Sequence, residues 1–300
     1  MTITKFCKIL KDNVPNLIVS NDKSFKDLTT FKIGGKIKCF VEINDTNTLL
    51  KVLALINKYN MPYFILGFGS NILCSDKPCN KVVLKINIKY LKTNKNTIVC
   101  GAGVGLFNLN HFAIKNGLSG LEWSYGIPGS VGGAIKMNAG SFDGEMSQVV
   151  KSVFYTDGQK IYKKENKALN FGYRQSFFKN NNFVILKVVF SLQKSEKDFV
   201  EKKCFTYYEK RRKTQPYNLP SAGSVFKRPQ NSFAPVLIES CGLKGLSCGG
   251  AEISSKHCGF IVNSKNNATF NQVIKLINKI KKTVLKKFDI ILEEEIIILK

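Results

Sequence analysis

The stretch GLSGLEWSYGIPGSVGGAIKMNAG, residues 117–140, holds seven of the chain's 23 glycines in 24 positions, where even scattering would place about two. Its centre, IPGSVGGA (127–134), sets Gly129, Gly132 and Gly133 beside the small residues Ser130 and Ala134. Glycine lets a backbone turn through positive φ or come close to a ligand, and amides freed in this way can converge on a phosphate. Any single glycine pair is also what a tight surface turn uses. Here apolar Ile127, Val131, Ala134 and Ile135 alternate with the glycines, so the segment is expected to be buried with something lying against it.

Upstream, the apolar run MPYFIL reads as a buried strand that delivers a second glycine turn, GFGSN, residues 67–71. It is not the Rossmann fingerprint, because the third Gly is missing and no helix clearly opens after it. Gly67, Gly69, Ser70 and Asn71, taken with Gly129, Ser130, Gly132, Gly133 and Ala134, offer two backbone surfaces. Together they suit a dinucleotide's pyrophosphate.

Around these loops the pattern is mixed. LTTFKIGGKIKCFVEI reads as strand, Gly-Gly turn, strand, and TNTLLKVLALINKYN as a helix with a capping Thr. KVVLKI and TIVCGAGV continue as strands, GLFNLNHFAIKNG as a helix ending at Gly117, and VVKSVFYT, QKIYKK and FVILKVVFSL as short strands. QKSEKD (193–198) is the expected linker. EKKCFTYYEKRRK then reads as a helix, and residues 269–288 as an amphipathic helix packed on its own domain. The segment DIILEEEIIIL closes the chain as a strand. This is a βαβ-like unit followed by mixed structure, an α+β class, and not a repeated doubly wound pattern.

Composition narrows the function classes. No apolar run reaches the ~18 residues of a membrane span and the N-terminus lacks a signal-type apolar core, so a cytoplasmic protein without membrane insertion is expected. The net charge of +25 comes from 46 basic residues, of which only Arg174, Arg211, Arg212 and Arg228 are arginines. Lysine is spread over the whole length, which reads as compositional bias and not as a nucleic-acid patch, so no nucleic-acid partner is expected. Where lysine serves for any positive charge, a retained arginine points to a need for the planar guanidinium fork. Nine scattered cysteines without a CxxC pair read as reduced packing thiols, and two histidines give no basis for a metal cluster, so no metal is expected.

Three spots carry polar chemistry in apolar or glycine-rich settings. Arg174 lies in FGYRQSFF, where it can serve a site or simply stack on Tyr173 or Phe177. Ser224 lies in SAGSVFKRP, where it can be a functional hydroxyl or a turn former. Glu293, Glu294 and Glu295 interrupt the apolar closing strand, with 293 and 295 expected on one face. They fit either a working carboxylate or a solvated edge.

The segments TTFKIGG, LGFGSNIL, residues 117–140, YRQSFF, PSAGSVFKRP, APVLIESCGLKG and LEEEI occur in one order from about residue 28 to the end. In that order and spacing the chain resembles the UDP-N-acetylenolpyruvoylglucosamine reductase family. The resemblance implies a two-lobed FAD-binding domain of the vanillyl-alcohol-oxidase (PCMH) type over 27–194, with lobes of about 27–81 and 82–194. A C-terminal α+β substrate domain over 204–300 and an N-terminal extension of 1–26 complete it. It implies that both glycine loops hold FAD and that NADPH is co-substrate, hydride passing through FAD to C3 of the enolpyruvyl group. Arg174, Ser224 and Glu295 match its catalytic positions, with Ser224 as the proton donor to C2, and Glu293 is the near miss. Tyr173, Lys227 and Arg228 are the expected substrate contacts, and the protein is expected to act as a monomer.

The short run from Arg174 to Val184 leaves no room for an extra tyrosine loop, so the chain resembles the shorter subgroup. It departs from the family at Phe68, where a third Gly is usual, at Arg228, where Asn is usual, and in the stretch 257–260. Another FAD oxidoreductase of the same fold, acting on an alcohol or lactone, is the alternative. A non-catalytic basic protein binding anionic surfaces is a third reading, resting on charge alone.

Overall fold

A computed structural model describes all residues, Met1–Lys300, and divides the chain into two compact units. The first comprises Met1–Asn21, Lys38–Phe68 and Asn80–Glu209, and the second Asp22–Ile37, Gly69–Cys79 and Lys210–Lys300.

The first unit is built on two sheets. One has four strands in the order Ile18–Ser20, Ile37–Ile43, Cys79–Ile86, Tyr63–Leu66, with the last pair parallel. Helix Thr46–Lys58 follows its second strand, started by the Asp45 carboxylate, which accepts the Thr48 N–H at 2.8 Å. The cap is thus the aspartate and not the threonine expected, because Asp45 keeps the extended backbone that an N-cap requires. The other sheet is antiparallel, with five strands in the order Ile161–Glu165, Val150–Thr156, Val184–Ser191, Thr97–Gly101, Leu91–Asn94. Helix Leu106–Lys115 and the short helix Val131–Lys136 flank it, and one core of Val, Ile, Leu and Phe side chains is continuous through the unit.

Three expectations change here. Residues 1–26 are not a mere extension: helix Ile3–Asn13 buries Phe6 and Leu10 in that core. Its Cys7 is paired with Cys39 of strand Ile37–Ile43 (Cα–Cα 5.8 Å), so two of the nine cysteines are joined and seven are free. Both sulfurs face inward between helix and strand, a proximity that spacing in sequence does not show. The polar run 193–198 is no linker either. Gln193–Lys194 pairs with Leu118–Ser119, and helix Lys197–Thr214 starts within the run.

The second unit has a four-stranded antiparallel sheet in the order Ser221–Ser224, Phe260–Asn263, Ala251–Ile253, Ser247–Cys248. Helix Phe270–Phe288 covers it, opened by a reciprocal capping box between Thr269 and Gln272. Val273, Ile277, Ile280 and Val284 form its buried stripe, as the amphipathic pattern requires. Two further readings are corrected. Phe25–Leu28 is a helical turn and no strand lies between Leu28 and Gly34, so the expected hairpin over 28–43 is a single strand from Ile37. The closing segment is a strand only over Ile297–Leu299, parallel to Ile72–Cys74. Residues 290–296 are held instead by separate bonds, with Lys227 N–H donating to Glu293 O and Glu295 N–H to Val225 O. No helix is long and apolar enough to cross a membrane.

Candidate active site

In the first unit the two glycine segments meet. Ser130 opens helix Val131–Lys136, and its hydroxyl accepts the Gly133 N–H at 3.3 Å. Gly67 passes so close that a Cβ there would lie 2.5 Å from Ser130 Oγ. Glycine at 67 is therefore required by the approach of one loop to the other. Gly105 and Ser130 form a β-bridge, fixed by Leu106 N–H to Gly129 O (2.9 Å) and Val131 N–H to Val104 O (2.8 Å).

The expectation of several freed amides narrows. Gly132 N–H donates to Ala102 O (2.9 Å) and Ala134 N–H to Ser130 O (2.9 Å), so the amides of 131–134 are used inside the protein. Gly132 and Ala134 serve the packing of the wall, and the N–H groups of Gly129 and Ser130 are the donors left for an anion. Val131 and Ile135 are fully buried, as their alternation with the glycines suggested.

Arg174 sits in the same unit, on a two-residue turn closed by mutual bonds between Gly172 and Gln175 (3.1 and 3.0 Å). It takes a left-handed backbone, φ 53°, which holds a non-glycine residue only where the surroundings enforce it. They do so from several sides. Arg174 Nη2 donates to Gly140 O at 3.0 Å, Lys179 Nζ to Arg174 O at 2.8 Å, and Ser176 Oγ to Lys136 O at 2.8 Å. Buried Asn138 donates to Gly172 O at 3.0 Å and accepts the Ser147 N–H at 2.9 Å. The guanidinium also lies 5.1 Å from the Tyr173 ring centroid, so the two readings of Arg174 are parts of one arrangement. Tyr173 itself is half exposed.

Ser224 and Glu295 belong to the second unit. Ser224 ends strand Ser221–Ser224 after Gly223, and Glu295 N–H donates 2.8 Å to the carbonyl of Val225, the next residue. Asn71 Nδ2 reaches Glu295 O at 3.2 Å, and Thr30 Oγ1 bonds Ser221 O at 2.7 Å, so Asn71, Ser224 and Glu295 share one neighbourhood. The three glutamates differ. Glu293 is exposed and pairs with Lys227 at 2.6 Å, and Glu294 pairs with Lys281 at 2.9 Å. Arg228 lies 3.9 Å from the Phe233 ring centroid. Ser70 O and Gly69, with φ 65°, complete the second unit's share of the GFGSN turn.

Comparison with known proteins decides what carries this geometry. Residues 215–299 match the family described as UDP-N-acetylenolpyruvoylglucosamine reductase, C-terminal domain, and residues 37–159 match FAD binding domain. A UDP-N-acetylenolpyruvoylglucosamine reductase of Clostridium novyi is 41% identical over 93% of this chain and 91% of its own. The chain belongs to the UDP-N-acetylenolpyruvoylglucosamine reductase family. A second relative of that name, from Clostridium tetani, is 39% identical over 96% of this chain and 97% of its own. The reductase structure from Thermus caldophilus superposes with a TM-score of 0.82 at 32% identity, covering 95% of this chain and 100% of that one.

The chain is thus an FAD-dependent oxidoreductase of α+β class, its flavin domain joined to the reductase family's C-terminal domain. The residues present fit the flavin. A loop without a side chain at Gly67, beside Gly129 and Ser130 whose N–H groups have no backbone acceptor, forms a cradle that a diphosphate matches. Asn138 and Gly140, which seat the Arg174 turn, escaped the sequence reading although both lie in the opening stretch. Their only signal was the MNAG tail of that stretch, read there for its glycine alone.

Proposed function

We propose that this reductase-family member reduces the enolpyruvyl group of UDP-N-acetylenolpyruvoylglucosamine with NADPH, giving UDP-N-acetylmuramate for peptidoglycan, as a cytoplasmic monomer. Residues 27–194 would bind flavin and 204–300 substrate, with helix Ile3–Asn13 of the N-terminal segment packed on the flavin part. Bound FAD supplies reversible acceptance and donation of a hydride. The remaining chemistry falls to side chains. Gly67, Gly69, Ser70, Asn71, Gly129, Ser130, Gly132, Gly133 and Ala134 form the cofactor cradle. Arg174, preset by its turn, stabilises the negative charge that grows on the substrate carboxylate side as hydride reaches C3.

Ser224 donates the proton to C2, and Glu295 orients the group that receives it. Tyr173, Lys227 and Arg228 contribute substrate contacts. The observation that supports this assignment is the 2.8 Å bond from Glu295 N–H to the carbonyl of Val225, which brings the backbone of Glu295 against the residue that follows Ser224. Purified protein reconstituted with FAD is expected to sustain NADPH oxidation beyond one equivalent per flavin only when the enolpyruvyl sugar nucleotide is present. Ser224→Ala is expected to keep flavin reduction by NADPH and to lose rapid reoxidation by the sugar nucleotide. Normal reoxidation in that variant removes Ser224 from its role.

A further inference from the structure

Lys85 is a cation that the chemistry above leaves unused. It stands on strand Cys79–Ile86, half-buried, and its ammonium donates to the Gly67 carbonyl in the GFGSN turn. The same nitrogen lies 5.1 Å from the centroid of the Phe68 ring. Phe68 is itself partly exposed, and its ring edge would lie 3.1 Å from a Cβ at Gly105, the bridge partner of Ser130. Lys85, Phe68, Gly105 and Ser130 therefore line one corner of the cradle.

The charge of Lys85 has little to balance it there. Burial lowers its pKa most, Lys89 lowers it further, and Glu42 opposes only as the weakest influence. A Glu42 oxygen is already engaged by Asn87 Nδ2 at 2.7 Å. An ammonium carries three protons, and the Gly67 carbonyl takes one. A half-buried cation without a close carboxylate, bonded to the glycine turn that packs on Ser130, is arranged for an anion that arrives with a ligand.

We infer that Lys85 is a positioning and charge-matching residue of the flavin site: held by Gly67 and the Phe68 ring, it shapes the glycine turn and meets the diphosphate of FAD. This rests on the flavin reading of the cradle, and the test separates the two. FAD binding to apoprotein is measured by quenching of flavin fluorescence at low and high salt, with apoprotein thermal midpoints measured alongside. Lys85→Met is expected to weaken FAD binding about tenfold or more at low salt. The gap to the unaltered protein narrows at high salt, because screening already removes part of the attraction. Lys85→Arg is expected to stay within about threefold, and its salt response to persist.

Should Lys85→Met not fold, Lys85→Gln against Lys85→Arg gives the same comparison of salt response. Phe68→Leu is expected to cost less than Lys85→Met and to leave the salt response in place. Affinity unchanged in a folded Lys85→Met, or a loss equal at both salts, overturns the inference and leaves the flavin reading standing. Unaltered protein that takes up no FAD overturns both.

Discussion

Gly144→Ala tests how the Arg174 turn is held. A Cβ at 144 would lie 2.1 Å from Trp123 Cδ1 and 2.3 Å from Cγ, against the roughly 3.5–4.0 Å of an ordinary carbon contact. The ring cannot retreat easily, since it is buried and its Nε1–H donates to Gly120 O at 3.1 Å. The hairpin of Gly140–Ser141 and Gly144–Glu145 must therefore move by more than about 1 Å. Overpacking of this kind costs about 1–3 kcal/mol. The same hairpin carries the Gly140 carbonyl that holds Arg174 at 3.0 Å, and such a shift stretches that bond beyond hydrogen-bond range.

A misplacement of about 1 Å in a reacting group can lower turnover about 100-fold. The expected result for Gly144→Ala is a lower urea midpoint by far-UV circular dichroism and a large fall in kcat with NADPH and the enolpyruvyl sugar nucleotide. Gly172→Ala is the control in the Arg174 turn, because its Cβ meets only Gln175 Cβ at an ordinary 3.8 Å. Its stability should stay within about 0.5 kcal/mol of the parent. If Gly144→Ala unfolds with the parent and turns over normally, the hairpin is not the support described.

Three further outcomes are expected. Gly67→Ala and Ser130→Ala each remove the Ser130 cap, one by displacing the hydroxyl and one by deleting it, so the pair should couple by about 1 kcal/mol in a double-mutant cycle. Additive costs would show that the loops do not touch there. Asn263, fully buried, donates to Phe31 O at 3.2 Å and accepts the Ala268 N–H at 2.9 Å. Asn263→Ala should cost about 2–4 kcal/mol by leaving these groups unpaired, measured by urea unfolding.

His257 carries the pH prediction. Burial lowers its pKa from 6.5, and its Nδ1 accepts the Gly259 N–H at 3.1 Å, so the fold holds the neutral ring. The unfolded chain binds the proton more readily, so this contribution is complete above pH 6.5 and is lost as pH falls toward the lower folded value. His257→Gln should flatten stability measured across that window, and an unchanged slope would refute the assignment.

Local pattern carried much of this fold into view. Helix Phe270–Phe288 and strand Val184–Ser191 have apolar spacing strong enough to show type and buried face together. Arginine scarcity was also informative. Arg174 bonds a carbonyl, Arg228 lies against Phe233, and Arg211 is nearly fully buried, its pKa pushed down to about 10 by desolvation. What stayed hidden depends on distant partners. The closing segment has strand composition throughout, yet only Ile297–Leu299 finds a neighbour with free edges at Ile72–Cys74. The amide of Gly132 looked open because nothing near it in sequence announces Ala102 O as an acceptor, and that of Ala134 because its acceptor, Ser130 O, depends on the short helix Val131–Lys136. Helix Ile3–Asn13 was missed because its 11 residues were weighed only as a targeting signal.

That last parallel pairing has a consequence for biosynthesis. Ile72 and Ile297 are partners although 225 residues separate them. At about 5–20 residues per second, a ribosome needs roughly 10–45 s between making one and the other. For that interval the nascent segments Asp22–Ile37 and Gly69–Cys79 have emerged without most of their unit, with Phe31, Ile33 and Leu73 lacking the core that later buries them. The first unit completes its sheets by Lys194 and can fold early; the second waits until Ile297–Leu299 has been made.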